Sequence, residues 1–163
     1  MNLSTKSNQE LVDILGGSED EILLNKAGEA LAANNPTNDQ LFNTLRYCTD
    51  KSIIAKAGAK LRENVGISVP VDESSLIKQI AHEVLSRPGS LKMDQWHCGT
   101  AHCIGGHACL VNPIAADIEK RFNTQTAAAA VLPNHVSLFF EDDDKALSYL
   151  TAINNGAPIL GTN

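Results

Sequence analysis

Residues 8–31 read NQELVDILGGSEDEILLNKAGEAL, and residues 38–61 read NDQLFNTLRYCTDKSIIAKAGAKL, the same pattern at an offset of 30. The offset pairs Leu11 with Leu41, Leu15 with Leu45, Asp20 with Asp50, Lys26 with Lys56, Ala27 with Ala57, Gly28 with Gly58 and Leu31 with Leu61. In each copy apolar residues recur at helical spacing on two short segments split by a polar turn. Asp20 and Asp50 stand where a short acceptor side chain caps the second segment. Each copy therefore reads as a helical hairpin. A mid-helix glycine costs roughly 1 kcal/mol relative to alanine, so its recurrence at Gly28 and Gly58 implies close approach of helices.

Beyond the second copy, GISVPVDESS (66–75) interrupts the periodicity with a glycine, a proline and a polar cluster, and it offers Asp72 or Ser74 as the cap of a new helix. Leu76, Ile77, Ile80, Ala81, Val84 and Leu85 then form an apolar stripe that Arg87-Pro88-Gly89 stops, with His82 on its polar side. Further helices are expected over 114–122, over the alanine-rich 126–132, and after the acidic run Glu141-Asp142-Asp143-Asp144, read as a helix cap. The stretch LPNHVSLFF (132–140) reads as an extended loop with His135 on its surface. The fold class is all-α, with two helical hairpins packed on a small helical Cys/His-containing domain. The expected divisions are 1–67, 68–153 and a flexible tail, 154–163. Two repeat units are fewer than such arrays need to stand alone, so the pair is expected to lean on the helices of 68–153.

With 163 residues, 43% of them hydrophobic and 4% aromatic, the chain has ordinary globular composition biased to small side chains. A formal net charge of −6 without a basic cluster argues against nucleic acid and anionic membrane as partners. The start, MNLSTKSNQE, lacks the pattern of a secretory signal, and the apolar run 127–132 is too short to span a bilayer. A cytoplasmic location is expected, where clustered thiols signal metal binding, catalysis or redox sensing rather than a permanent disulfide.

Those thiols concentrate in WHCGTAHCIGGHAC (96–109), which holds three of the four cysteines and three of the five histidines. Thr100 reads as the cap of a helix over 101–111, with Ile104, Ala108 and Val111 facing the core and Cys109 a packing residue. Four readings stay open. Cys98, Cys103 and His107, joined by His97, His102 or a distant His135, are candidate metal ligands in a C-x4-C-x3-H pattern, with zinc as the candidate ion. Cys98 and Cys103 are alternatively a redox pair closing the loop CGTAHC, where Gly99 permits a tight turn. Cys103 in a first helical turn beside His102 is a candidate nucleophile, its thiolate favoured by the helix dipole. The fourth reading is a packed helix with small buried thiols.

The two copies and the NPTNDQL segment linking them resemble short HEAT-like helical repeats, including a form found in cyanobacterial and other bacterial proteins. That resemblance, over about residues 8–64, implies stacked hairpins with an exposed face for a protein partner. Trp96-His97-Cys98-Gly99-Thr100-Ala101-His102-Cys103 resembles the W-H-C-G-T-x-H-C core of a group of uncharacterised bacterial and phage proteins. There the core is followed by x-A-G-W, an alanine-rich helix, a proline turn, an FF pair and an acidic helix. Here the counterparts are 126–132, Pro133, Phe139-Phe140 and 142–150. The chain departs from that pattern at Gly105-Gly106-His107, which gives His107 a packing role and carries over His97, Cys98, His102 and Cys103. The expectation is a cytosolic binding or regulatory module with a redox or metal-supported Cys/His site and a partner surface on the repeats. The rival is an enzyme using Cys103, Cys98 and His102 in nucleophilic or thiol-disulfide chemistry.

Overall fold

The computed structural model describes residues 2–162 and is all-α, apart from a two-stranded hairpin. The chain divides after Ser68 into two compact units.

In the first unit a 3-10 turn (Leu3–Thr5) precedes α1 (Asn8–Gly17), α2 (Glu21–Ala33), α3 (Asn38–Tyr47) and α4 (Lys51–Val65). The repeat recurs in the caps. Ser7 and Thr37 form capping boxes with Glu10 and Gln40, at the starts of α1 and α3. Asp20 accepts the Ile22 and Leu23 amides, and Asp50 those of Ser52 and Ile53, at the starts of α2 and α4. α1 packs on α2, α3 on α4, and the two hairpins pack on each other. Leu11, Leu15, Ala27 and Leu31 are buried, as are their equivalents Leu41, Leu45, Ala57 and Leu61. Each leucine taken from water contributes about 1.5–3 kcal/mol. Asn25 joins the hairpins, its Oδ1 accepting the amides of Thr49 and Asp50.

In the second unit Asp72 caps α5 (Glu73–Ser86). A long loop then leads into β1 (His97–Cys98) and β2 (Ala101–His102), followed by α6 (Ile104–Val111), α7 (Pro113–Arg121), α8 (Thr124–Val131), a 3-10 helix (Pro133–Phe140) and α9 (Asp143–Asn154). α6 and α7 pack on α8, and α5 packs on α6 and α9. Asp142 caps α9 by accepting the Lys145 amide at 2.8 Å.

Three expectations are corrected in this unit. The helix read as starting at Ala101 under a Thr100 cap starts at Ile104, because Ala101 and His102 pair as a strand and Cys103 is the cap. Residues 133–140 are a 3-10 helix, and His135 is fully buried rather than on a surface. Its Nδ1 lies 2.7 Å from Glu73 Oε1 and its Nε2 lies 2.8 Å from the Tyr149 hydroxyl. The segment after α9 is tied down, with Ile159 buried and the Leu160 amide donating to the Tyr149 hydroxyl at 3.1 Å.

Candidate functional site

The motif 96–109 is a hairpin followed by a helix, and its register decides which side chains meet. Gly99, at φ +60°, turns the chain so that Cys98 faces Ala101 and His97 faces His102. Side chains alternate across a strand, so the two histidines share one face while Cys98 lies on the other. The imidazoles meet edge to face with Nδ1 atoms 2.7 Å apart. His97 Nε2 in turn lies 2.7 Å from Glu119 Oε1 on α7, and Thr124 donates to the same oxygen at 2.6 Å. Burial raises the Glu119 pKa, but the bonds from Thr124 and His97 outweigh it and hold the carboxylate below its ordinary value. An ionised Glu119 accepts, so His97 donates to it through Nε2.

His107 extends the row inward. It is fully buried, its ring centroid lies 5.3 Å from that of His102, and its Nε2 lies 3.0 Å from the Ser90 carbonyl. A carbonyl can only accept, so the proton of neutral His107 is on Nε2 and its Nδ1 is a bare acceptor. That Nδ1 is buried without a partner among the described residues, as is the Ser90 hydroxyl oxygen. Burial first, and then neighbouring positive charge, lowers the pKa of His102; burial likewise lowers that of His107, so both stay neutral.

The thiols take other positions. Cys103 is 2% exposed and its Sγ accepts the Gly106 amide at 3.3 Å, acting as the cap of α6. Burial raises its pKa despite that helix-end bond, the opposite direction to the lowering expected of a thiol in a first helical turn. Cys98 is exposed, and Cys109 is buried with its pKa raised, chiefly by burial. Cys98 faces Ala101 across the hairpin, and Cys98 and Cys103 are both free thiols. Among the described residues no three His, Cys, Asp or Glu side chains are grouped to hold an ion. The structure brings His97, His102 and His107 into one row, with Cys98 exposed on the hairpin and Cys103 buried at the start of α6.

The same motif fixes the loop before it. Ser90 O accepts the His102 amide at 2.9 Å, Lys92 donates to His102 O at 3.0 Å, and Cys103 donates to Gln95 O at 3.2 Å. Trp96 lies over Gly105, where an added Cβ would meet its ring, and stands edge to face with Phe139 at 5.9 Å. The Met93 amide reaches across to Asp143 Oδ1 at 2.6 Å. Pro88, Gly89 and Leu91 of this loop form one wall of an open apolar groove of about 330 Å³, lined also by Val84, Leu85 and Leu147 and edged by Asp143 and Asp144. Beside it lies a recess floored by Met93 and Phe140 and rimmed by Glu141, Asp142 and Asp94. Sequence reasoning missed Glu119, Ser90 and the groove. Glu119 stands 22 positions from His97, with no local pattern to join them.

No family model, curated protein or solved structure matches the chain. Among the described residues no helix is long and apolar enough to cross a membrane.

Proposed function

We propose that the chain is a binding module whose second unit takes a protein segment carrying an apolar side chain flanked by Lys or Arg, with the Cys/His motif acting as the clamp that holds one wall of its groove. The observation that carries this reading is the junction of an apolar floor, Val84, Leu85, Leu91 and Leu147, with the consecutive carboxylates of 141–144. Leu147 is 41% exposed, an apolar surface open to a partner. The carboxylates supply the opposite charge for a cationic flank, and of the four it is Glu141 that pairs with Lys145, at 2.9 Å.

On the repeat pair, the recess between α2 and α4 is lined by Ala32, Ala33 and Ala59. Its charges pair with each other, as in Lys56–Glu29 and Lys60–Glu63. That face offers a partner less than the groove of the second unit does. The enzyme reading has weaker support, because the hydrogen bond at Cys103 Sγ comes from a helix amide and the small cavity beside it is lined by Trp96, Met93 and Phe139 rather than by an imidazole.

Fluorescence anisotropy with two labelled peptides tests the proposal, one with a central leucine flanked by lysines and one with the same leucine flanked by glutamates. The lysine peptide should bind, weaken as salt is added, and lose at least about tenfold in affinity with Leu147→Lys, a surface change that leaves the fold intact. Equal binding of both peptides, or unchanged binding by Leu147→Lys, would contradict it.

A further inference from the structure

We infer that the cavity beside Cys103 is an aromatic cage for a methylated ammonium head, the chemistry shared by a trimethylated lysine side chain and a choline-type cation. It is a site of its own and does not depend on the leucine groove. The chain has one tryptophan and four phenylalanines, and Trp96, Phe139 and Phe140 all line this one cavity of about 170 Å³. Trp96 and Phe139 stand at 81° with ring centroids 5.9 Å apart. Two rings so inclined bound a corner in which a cation can stand within about 6 Å of both centroids, the range over which a ring face attracts positive charge. The volume is well above the roughly 10–15 Å³ that a single water requires, which leaves room for a branched head group.

The rest of the lining selects among cations. Asp94 supplies a carboxylate, and neither it nor Gln95 makes a side-chain hydrogen bond among the described residues. Met93 adds an apolar thioether, and Cys103 Sγ is already taken by the Gly106 amide. An unmodified lysine ammonium is strongly hydrated and brings three N–H donors, few of which a wall of rings and thioether can meet. A trimethylated nitrogen has no donor to satisfy, so ring faces and one carboxylate are enough to hold it. Met93, Asp94 and Phe140 also border the recess rimmed by the carboxylates of 141–144, whose negative field draws a cation towards the rings.

Trp96 is the only tryptophan, so its fluorescence reads the cavity directly. The test is titration of the full chain with N-acetyl-trimethyllysine amide, with choline, and with dimethylbutanol, the neutral carbon isostere of choline. The cations should change Trp96 emission saturably, and the isostere should bind at least about tenfold more weakly than choline. Asp94→Asn and Phe140→Leu should each weaken the cations by at least about threefold, and Leu147→Ala, in the groove, should leave them unchanged. Tighter binding of the trimethyllysine amide than of choline assigns the head group to a protein side chain, and the reverse assigns it to a free small molecule; both support the cage. No saturable response to either cation, an isostere bound as tightly as choline, wild-type affinity in both Asp94→Asn and Phe140→Leu, or loss of binding in Leu147→Ala would each overturn the inference. The comparison of cation and isostere on the wild-type chain decides the matter even if a variant fails to fold.

Discussion

The carbonyl oxygen of Trp96 occupies the space in which a side chain on Gly106 would begin. A Cβ there would sit far inside the 3.0 Å that real Cβ atoms keep, against backbone that cannot rotate away. Gly106 is thus the seat on which the hairpin rests, and its own amide closes the Cys103 cap. Gly106→Ala gains up to about 1 kcal/mol of helix propensity, yet it forces the loop off α6 at a cost of about 1–3 kcal/mol or more. The melting temperature should fall by roughly 5 °C, measured by far-ultraviolet circular dichroism. An unchanged or raised value would show that the hairpin does not press on α6.

Gly28 plays the corresponding part in the first unit, where an added Cβ would collide with Cys48 Sγ and press on Thr44 Cγ2 at 3.1 Å. Gly28→Ala should destabilise the chain, and Cys48→Ala should relieve much of that loss by removing the sulfur. Denaturant melts of the two single variants and the double variant should give a favourable coupling of at least about 1 kcal/mol. Additive effects would place the strain elsewhere.

How far the sequence foretold this arrangement depends on the range of the interactions. The four repeat helices were legible because their signals are local: leucines at helical spacing, and Asp20 and Asp50 capping amides two and three residues on. The hairpin was not, since strands of two residues have no periodicity to read, and Thr100 and Cys103 can both cap a helix. The choice falls to Cys103 because the amide and carbonyl of His102 bond to Ser90 and Lys92, drawing Ala101 and His102 into extended backbone. The difference of register is small but changes the chemistry. It makes His97 and His102 the cross-strand pair, where the spacing alone equally suggested Cys98 and Cys103. His135 was misplaced because its acidic partner, Glu73, is 62 residues away in sequence.

Thiol reactivity should follow burial rather than helix position. In native, reduced protein at neutral pH, iodoacetamide should modify Cys98 alone, since Cys48, Cys103 and Cys109 are 5%, 2% and 4% exposed and each has its pKa raised. Mild oxidation should join Cys98 between two molecules and leave Cys103 reduced. Peptide mapping that finds Cys103 alkylated first, or an internal Cys98–Cys103 disulfide, would reject this ordering.

Alkaline stability should report on Cys48. Burial, aided by the Asp50 carboxylate and opposed by a hydrogen bond from Gly28, raises its thiol from 9.0 to about 11. A folded-state pKa above the unfolded one means that the contribution is fully present below pH 9 and is lost as pH rises towards 11, on the order of 2 kcal/mol in all. Denaturant midpoints from about pH 8 to 11 should therefore decline, and less steeply in Cys48→Ala. Equal slopes in the two proteins would remove Cys48 from the alkaline response.

The most direct measurement is hydrogen exchange of the full chain with and without the lysine-flanked leucine peptide. Slowed exchange in residues 88–96 and 143–147, with the amides of 8–61 unchanged, is the predicted footprint of a segment lying in the groove that the Cys/His clamp supports. Protection confined to α2 and α4, with loop 88–96 exchanging as before, would move the partner surface to the helical repeats and contradict the account.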